Sequence, residues 1–370
     1  MDTRLLQRAV SRRLPDFPWD RLVDLKARAA AHADGLVDLS IGTPVDPTPE
    51  VVQKALAAAA DAPGYPTTQG TSELRESVGR WLSRRFGIDG IGVDNVVPAI
   101  GTKELISSLA LHLGVGPGDT VVAPALAYPT YAVGALFAGA DLVVSDSTAA
   151  LGPAAPAMIW LNSPSNPTGR ILPAAHLRKV VEWARERGTL VVSDECYLEC
   201  AWTGEEPVSV LDDRVCGGSY DGILAIHSLS KRSNLAGYRA GFAVGDARVI
   251  AELLAVRKNL GPILPWPQQH ASIAALDDDT HVDEQRERYA ARRESLLAAV
   301  DRAGLRIDHS EGALYLWATR DEPCMDTVEW LAERGILVAP GDFYGTAGAR
   351  HVRIAFTATD ERVAAACARL

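Results

Sequence analysis

Apolar positions follow two rhythms along this chain, and the switches between them outline its architecture. Residues 20–31 carry apolar side chains at helical spacing, and the stretch Ile41-Gly42-Thr43-Pro44-Val45-Asp46-Pro47 breaks that pattern. A second helix is predicted over 50–60, followed by the loop Pro63-Gly64-Tyr65-Pro66-Thr67-Thr68-Gln69-Gly70. From there, short apolar runs at 95–100, 120–123, 141–144, 158–161, 189–193, 222–226 and 240–244 read as strands. Helical patterns at 103–113, 129–137 and 177–187 lie between them. Apolar strands separated by helices predict an α/β fold, with a mainly parallel seven-stranded sheet sandwiched by helices.

The rhythm changes after residue 246. Helices are predicted at 247–260 and 267–276, and a long charged amphipathic helix at 283–303. The tail mixes strands (314–318, 336–339, 351–356) with helices (326–334, 360–370). This pattern predicts a smaller α+β domain, with the long helix bridging the two. At 370 residues, one large and one smaller domain is also what chain length favours.

Composition narrows the function classes. Hydrophobic residues make up 47% and charged residues 23%, an ordinary globular balance. The net charge of −10 argues against a nucleic-acid-binding surface, though it leaves room for a local basic pocket. The chain starts with mixed charge from Met1 through Arg13, without an apolar signal core, and no run is long enough for a membrane span. Five scattered cysteines imply no disulfide framework, and Cys196 and Cys200 lack the second pair a zinc site needs. A cytoplasmic protein with no metal, nucleic-acid or membrane partner is expected.

The candidate chemistry centres on Ser228-Leu229-Ser230-Lys231, which ends the apolar run at 223–226, with Arg239 eight positions beyond the lysine. A lysine placed there can be desolvated into an amine nucleophile that forms a Schiff base. The serines and the arginine can hold a phosphate beside it. Gly101-Thr102-Lys103 also follows a strand and opens a helix, where backbone N–H groups favour an anion; a plain turn with Thr102 as N-cap reads the same way. Gly114-Val115-Gly116-Pro117-Gly118 joins a helix to a strand and is a turn, which disfavours a nicotinamide dehydrogenase.

Other strand ends carry chemistry too. Tyr128, past the run at 120–123, could stack on a flat ring or fill the core. Asn162-Ser163-Pro164-Ser165-Asn166-Pro167-Thr168-Gly169 is a stiff loop that can aim Asn162 and Asn166, or a simple turn. Asp194 closes a buried strand and needs a partner, which a protonated pyridine nitrogen would supply; a helix cap is the alternative. Tyr197 could reach the same ring. Arg353, inside His351-Val352-Arg353-Ile354-Ala355-Phe356, needs an anion, either a substrate carboxylate or a structural acidic partner. Apart from Arg353, these features all fall at C-terminal strand ends of one sheet, where a single ligand could touch them.

From about residue 35 to its end the chain resembles the fold-type I, class I/II pyridoxal-phosphate aminotransferases, with 162–169, 193–197 and 228–239 carrying the likeness in family order. The resemblance implies a large cofactor domain over 45–280 and a small domain built from 1–44 and 281–370. It implies pyridoxal 5′-phosphate held by Lys231, with Asp194 on its ring nitrogen and Asn166 and Tyr197 on its phenolic oxygen. Tyr128 would stack on the ring. Gly101, Thr102, Lys103, Ser228, Ser230 and Arg239 would line the phosphate. Arg353, backed by Gly42 and joined by Asn166, would bind the substrate carboxylate. Tyr65 would reach the neighbouring subunit's phosphate, which implies a homodimer with shared sites.

Within that family, the segments 17–20, 42–47, 101–105, 228–242 and 339–344 are similar to N-succinyl-LL-diaminopimelate aminotransferases of lysine and cell-wall biosynthesis. Glutamate and 2-oxoglutarate, with N-succinyl-2-amino-6-oxopimelate, are then the expected substrates. An aspartate or aromatic aminotransferase, or a C–S β-lyase on the same fold, is the alternative. Arg232 and the residues before Leu14 are not part of that likeness. A regulator with an aminotransferase-like domain would need a DNA-binding extension, for which that segment is too short.

Overall fold

The computed structural model describes residues 10–204 and 206–370. The start of the chain read above for a signal core therefore lies, over residues 1–9, outside the described residues. A two-residue strand, β1 (Val37–Asp38), precedes the large sheet. That sheet contains β2 (Val96–Ala99), β3 (Thr120–Ala123), β4 (Asp141–Val144), β5 (Met158–Asn162), β6 (Leu190–Asp194), β7 (Ile223–Ser228) and β8 (Gly241–Gly245). Their order is β2-β8-β7-β6-β5-β3-β4.

All neighbours pair in parallel except β8, which runs antiparallel to both β2 and β7. The sequence pattern carries no sign of this reversal, since β8 is as apolar as its parallel neighbours. It matters for the site, because the start of β8 meets the ends of the other strands. Strands β2, β5, β7 and β8 are buried throughout, as two helix-covered faces require. β4 pairs only with β3 and has all four residues exposed.

Helices cover both faces. On one, helix Ala174–Arg185 buries Leu177, Val180, Val181 and Ala184, an i, i+3, i+4, i+7 stripe. Helix Ser72–Phe86 packs on the same core through Leu74, Val78, Trp81 and Leu82. The sequence pattern predicts no helix there, because the arginines, glutamates and Gly79 of that segment dilute its apolar stripe. Thr71 starts it as N-cap, accepting from the Leu74 amide at 3.0 Å. Leu105, Ile106, Leu109, Tyr131, Ala135, Ile250 and Leu253 cover the other face.

The remaining strands are β9 (Arg306–His309), β10 (Tyr315–Thr319), β11 (Ile336–Leu337), β12 (Ala339–Pro340) and β13 (Val352–Ala355). Four form an antiparallel sheet, β12-β13-β10-β9, and β11 pairs in parallel with β1. The single strand predicted at 336–339 is thus divided, because Val338 turns the chain from β1 toward β13. β9 was not predicted, since its alternation of charged and half-buried residues lacks an apolar signal. The helix predicted over 20–31 begins as a 3-10 turn at Pro18–Leu22 and becomes α-helical over Val23–Ala30.

Leu22, Leu25, Val37 and Leu39 share one core with the C-terminal strands and helices. The long helix, Thr280–Arg302, ties that layer to the rest. Its Arg292 pairs with Asp46 at 2.6 Å and with Asp360 at 2.6 Å, and Gln285 donates to Asp46 at 2.8 Å. Among the described residues no helix is long and apolar enough to cross a membrane.

Candidate active site

The site is assembled at one edge of the large sheet. Asp194, the last residue of β6, is buried, and its carboxylate accepts from the Tyr131 hydroxyl at 2.8 Å and the Cys196 amide at 3.2 Å. Burial raises its pKa, and those hydrogen bonds offset the rise only in part. Asn162, the last residue of β5, donates to the Asp194 carbonyl at 2.8 Å. Its side-chain oxygen accepts from the Asn166 amide at 2.7 Å, which pins the loop between them. Both prolyl bonds of that loop, before Pro164 and Pro167, are cis.

β7 runs directly into a short helix, Leu229–Arg232. Ser228 caps it by accepting from the Ser230 amide at 3.1 Å. Lys231 follows on this helix, half-buried, and its Nζ donates to the Gly42 carbonyl. Arg232 points away from the site into a buried pair with Glu199, which Arg85 approaches at 3.0 Å. Arg232 also donates to the Ala275 carbonyl at 2.6 Å. The residue next to the lysine thereby anchors its helix.

Beside Lys231 lies an anion cradle. Gly101 has φ +89°, and a Cβ there would fall on the Arg239 guanidinium. It precedes helix Thr102–His112, which no side chain caps. Thr102 is thus the first helical residue rather than the cap, and its methyl group lies against Gly241. Gly241 in turn pairs with Ser228 across the strands. Gly101, Thr102, Ser228, Ser230 and Arg239 therefore converge. Arg239 is exposed, donates to the Ala236 carbonyl at 2.9 Å, and has no acidic partner among the described residues. It reaches this edge because β8 begins there.

Two predicted phosphate ligands lie elsewhere in this chain. The Lys103 ammonium is 5.6 Å from the centre of the Phe17 ring, on the exposed side of the helix. Tyr65 is fully exposed, at 102%. Tyr128 is at the site, half-buried, with its ring edge-on to Tyr131 at 5.9 Å. Tyr131 itself stacks on Trp160 at 4.6 Å, which fixes the hydroxyl that holds Asp194.

Arg353 enters from β13, only 3% exposed. It donates to Asn166 Oδ1 and to the Ser40 carbonyl, both at 2.7 Å. Its guanidinium lies 4.0 Å from the Tyr315 ring centre and 4.8 Å from that of Tyr344. No acidic side chain pairs with it among the described residues, so the structural ion pair considered above is absent there. Gly42 is held under Tyr315, where any Cβ would strike the ring. The Tyr315 and Tyr197 hydroxyls share a hydrogen bond at 2.7 Å. Burial, then Tyr315, raises the Tyr197 pKa well above that of a free phenol.

Lys231, Asp194, Asn166, Tyr197, Arg353 and Gly42 are thus brought together. The sequence reading missed Ser40, Tyr131, Tyr315 and Tyr344. Tyr131 carried a faint signal, three residues after Tyr128 at the head of a helix. Tyr315 and Tyr344 carried none, because an aromatic in an apolar run reads as core. A cleft of about 560 Å³ between Asp146, His176 and His351 reaches Asn162 but contains neither Lys231 nor Arg353.

The donor set fits pyridoxal 5′-phosphate. An amine, a buried carboxylate with both oxygens engaged from behind, and a basic cradle that only glycine allows stand along one sheet edge. The family model for aminotransferase class I and II matches residues 34–370. A probable aminotransferase of Mycobacterium tuberculosis is 63% identical, over 98% of this chain and 86% of its own length. The 4-dedimethylamino-4-oxo-anhydrotetracycline transaminase of Streptomyces rimosus is 59% identical, over 97% and 99%. Among solved structures, an aminotransferase from Neisseria meningitidis superposes with TM-score 0.89 at 28% identity, covering 98% of each chain. A probable N-succinyldiaminopimelate aminotransferase from Thermus thermophilus superposes with TM-score 0.85 at 27% identity, covering 96% and 100%.

Proposed function

The chain belongs to the class I and II aminotransferases, which are pyridoxal-phosphate enzymes, and from that premise we propose that it moves an amino group from glutamate to N-succinyl-2-amino-6-oxopimelate. The observation that carries the amino-acid part of this reading is Arg353, a buried cation without an acidic partner among the described residues, facing the groups around Lys231. Such a charge calls for an anion, and a planar carboxylate matches its fork. The likeness of segments 17–20, 42–47, 101–105, 228–242 and 339–344 to that subgroup, and the Thermus thermophilus neighbour, support the choice of acceptor.

Pyridoxal 5′-phosphate, when bound, supplies the electron sink and carries the amino group between two substrates. Lys231 Nζ would hold the cofactor covalently and, once released, would take the proton from the substrate Cα as general base and give it back as general acid on the far side of the transferred nitrogen. Asp194, held by Tyr131 and the Cys196 amide, would pair with the ring nitrogen, a positive partner that would offset its burial. Asn166 and Tyr197 serve the phenolic oxygen, with Tyr315 orienting Tyr197. Gly101, Thr102, Ser228, Ser230 and Arg239 take the phosphate. Arg353 and Asn166 fix the α-carboxylate, which aims the Cα–H bond at Lys231. The donor leaves as 2-oxoglutarate before the acceptor enters, a ping-pong sequence.

The same reading has residues 45–280 as the cofactor domain and 1–44 with 281–370 as a second. It takes the working form to be a cytoplasmic homodimer, in which Tyr65 serves the other subunit's phosphate. The 59% identity to an oxo-anhydrotetracycline transaminase favours a second reading, in which the acceptor is a polycyclic ketone. Purified enzyme with glutamate and a panel of both acceptor types separates the two. Turnover of the succinylated pimelate is expected. Preference for the polycyclic ketone overturns the acceptor while leaving the family intact. Lys231→Ala is expected to lose both turnover and the absorbance of the covalently held cofactor, and normal activity in it would sink the mechanism.

A further inference from the structure

Two buried polar atoms lie unpartnered beside the carboxylate clamp. Among the described residues the Tyr344 hydroxyl has no hydrogen-bond partner, in a residue only 3% exposed, and Arg353 Nε is likewise unpaired. An unmade hydrogen bond on a buried hydroxyl is costly, and phenylalanine would fill the same space without that cost. The segment carrying Tyr344 is also rigid. Gly345 has φ +135° and leaves no room for a Cβ against the Ala125 carbonyl. The Tyr344 carbonyl accepts from the Ala127 amide at 2.9 Å, next to Tyr128. Trp317 packs edge-on to the ring at 6.4 Å. These contacts hold the Tyr344 backbone and pack its ring in place.

The Arg353 guanidinium lies 4.8 Å from the Tyr344 ring centre, and Arg353, Tyr315 and Tyr128 are the charged or titratable groups that act on the phenol, with no carboxylate among them. Burial raises the Tyr344 pKa, so the phenol keeps its proton and remains a donor. A cation and a protonated phenol side by side call for a single shared acceptor with negative charge. We propose that the Tyr344 hydroxyl donates a hydrogen bond to the substrate carboxylate that Arg353 binds, which makes Tyr344 a substrate-binding residue of this enzyme. The inference rests on the amino-acid reading given above.

The test compares wild-type holoenzyme with Tyr344→Phe. Calorimetric titration with succinate reads carboxylate binding without turnover, and rapid mixing with L-glutamate or with ethylamine reads the half-reaction. A hydrogen bond to a charged group corresponds to a loss of about tenfold or more in affinity. The expected result is that loss for succinate and in the KM for glutamate. The limiting rate stays within about twofold, and ethylamine, which lacks a carboxylate, is unaffected. Unchanged succinate and glutamate binding overturns the proposal. So does an equal loss with ethylamine, which marks a packing defect. A wild-type enzyme that binds succinate but reacts with no amino acid overturns the proposed function instead, and the calorimetric comparison still decides the role of Tyr344.

Discussion

Asp194 and Glu195 are neighbours with opposite duties. Asp194 faces the site, and Glu195 turns behind the strands, where Oε1 accepts from the Val210 amide at 2.8 Å and Oε2 lies 3.5 Å from His227 Nε2. Burial pushes the Glu195 carboxyl up to about 7 and holds the His227 imidazole down to about 3, so both are neutral in mildly acidic solution. The folded chain keeps the Glu195 proton well above the ordinary 4.5 at which the unfolded chain releases it. This contribution is full below 4.5 and is lost as the pH climbs to about 7. Chemical denaturation of Glu195→Gln across that range is expected to show the wild type losing about 3 kcal/mol relative to the variant. A pH-independent difference would contradict it. At this scale the sequence was legible wherever a polar residue ended an apolar run, as at Asp194, Asn162 and Lys231. It was opaque at Tyr315 and Tyr344, whose hydroxyls lie beside the site but whose rings satisfy the apolar pattern.

Elements position these residues through a few long-range ties. Helix Thr280–Arg302 is anchored by Arg292, almost fully buried, whose two Nη atoms grip Asp46. Asp46 follows Gly42, the backbone partner of Lys231. Asp46→Asn leaves that buried guanidinium short of charge, and a loss of about 3 kcal/mol is expected in thermal or urea unfolding. A loss below about 1 kcal/mol would mean that Asp360 alone satisfies Arg292. The long helix was legible from its charge pattern. The direction of β8 was not, because a buried strand shows the same apolar run whichever way it points. Helix Ser72–Phe86 was hidden because its polar face is richer in arginine and glutamate than its apolar stripe is in leucine.

At the scale of the whole molecule, the fold class was readable because the alternation of strands and helices admits few architectures, whereas assembly leaves little trace in a single chain. Tyr65, wholly exposed here, is the residue through which the proposed dimer can be tested. Mixed dimers of Lys231→Ala and Tyr65→Ala subunits would contain one intact site, with Lys231 from one chain and Tyr65 of the partner subunit. Activity is therefore expected to return on mixing and reassembly of two poorly active parents, and its failure to return would mean that each site is self-sufficient. The pairing of β1 with β11 has a consequence in time. Val37 meets Ile336 only after about 300 further residues have been made. At cellular elongation rates that is roughly 15–60 s. For that interval Leu22, Leu25, Val37 and Leu39 leave the ribosome without the surface they are built to cover. Residues 22–39 are made early but find their packing partners only late, and until then the nascent chain carries their apolar side chains uncovered.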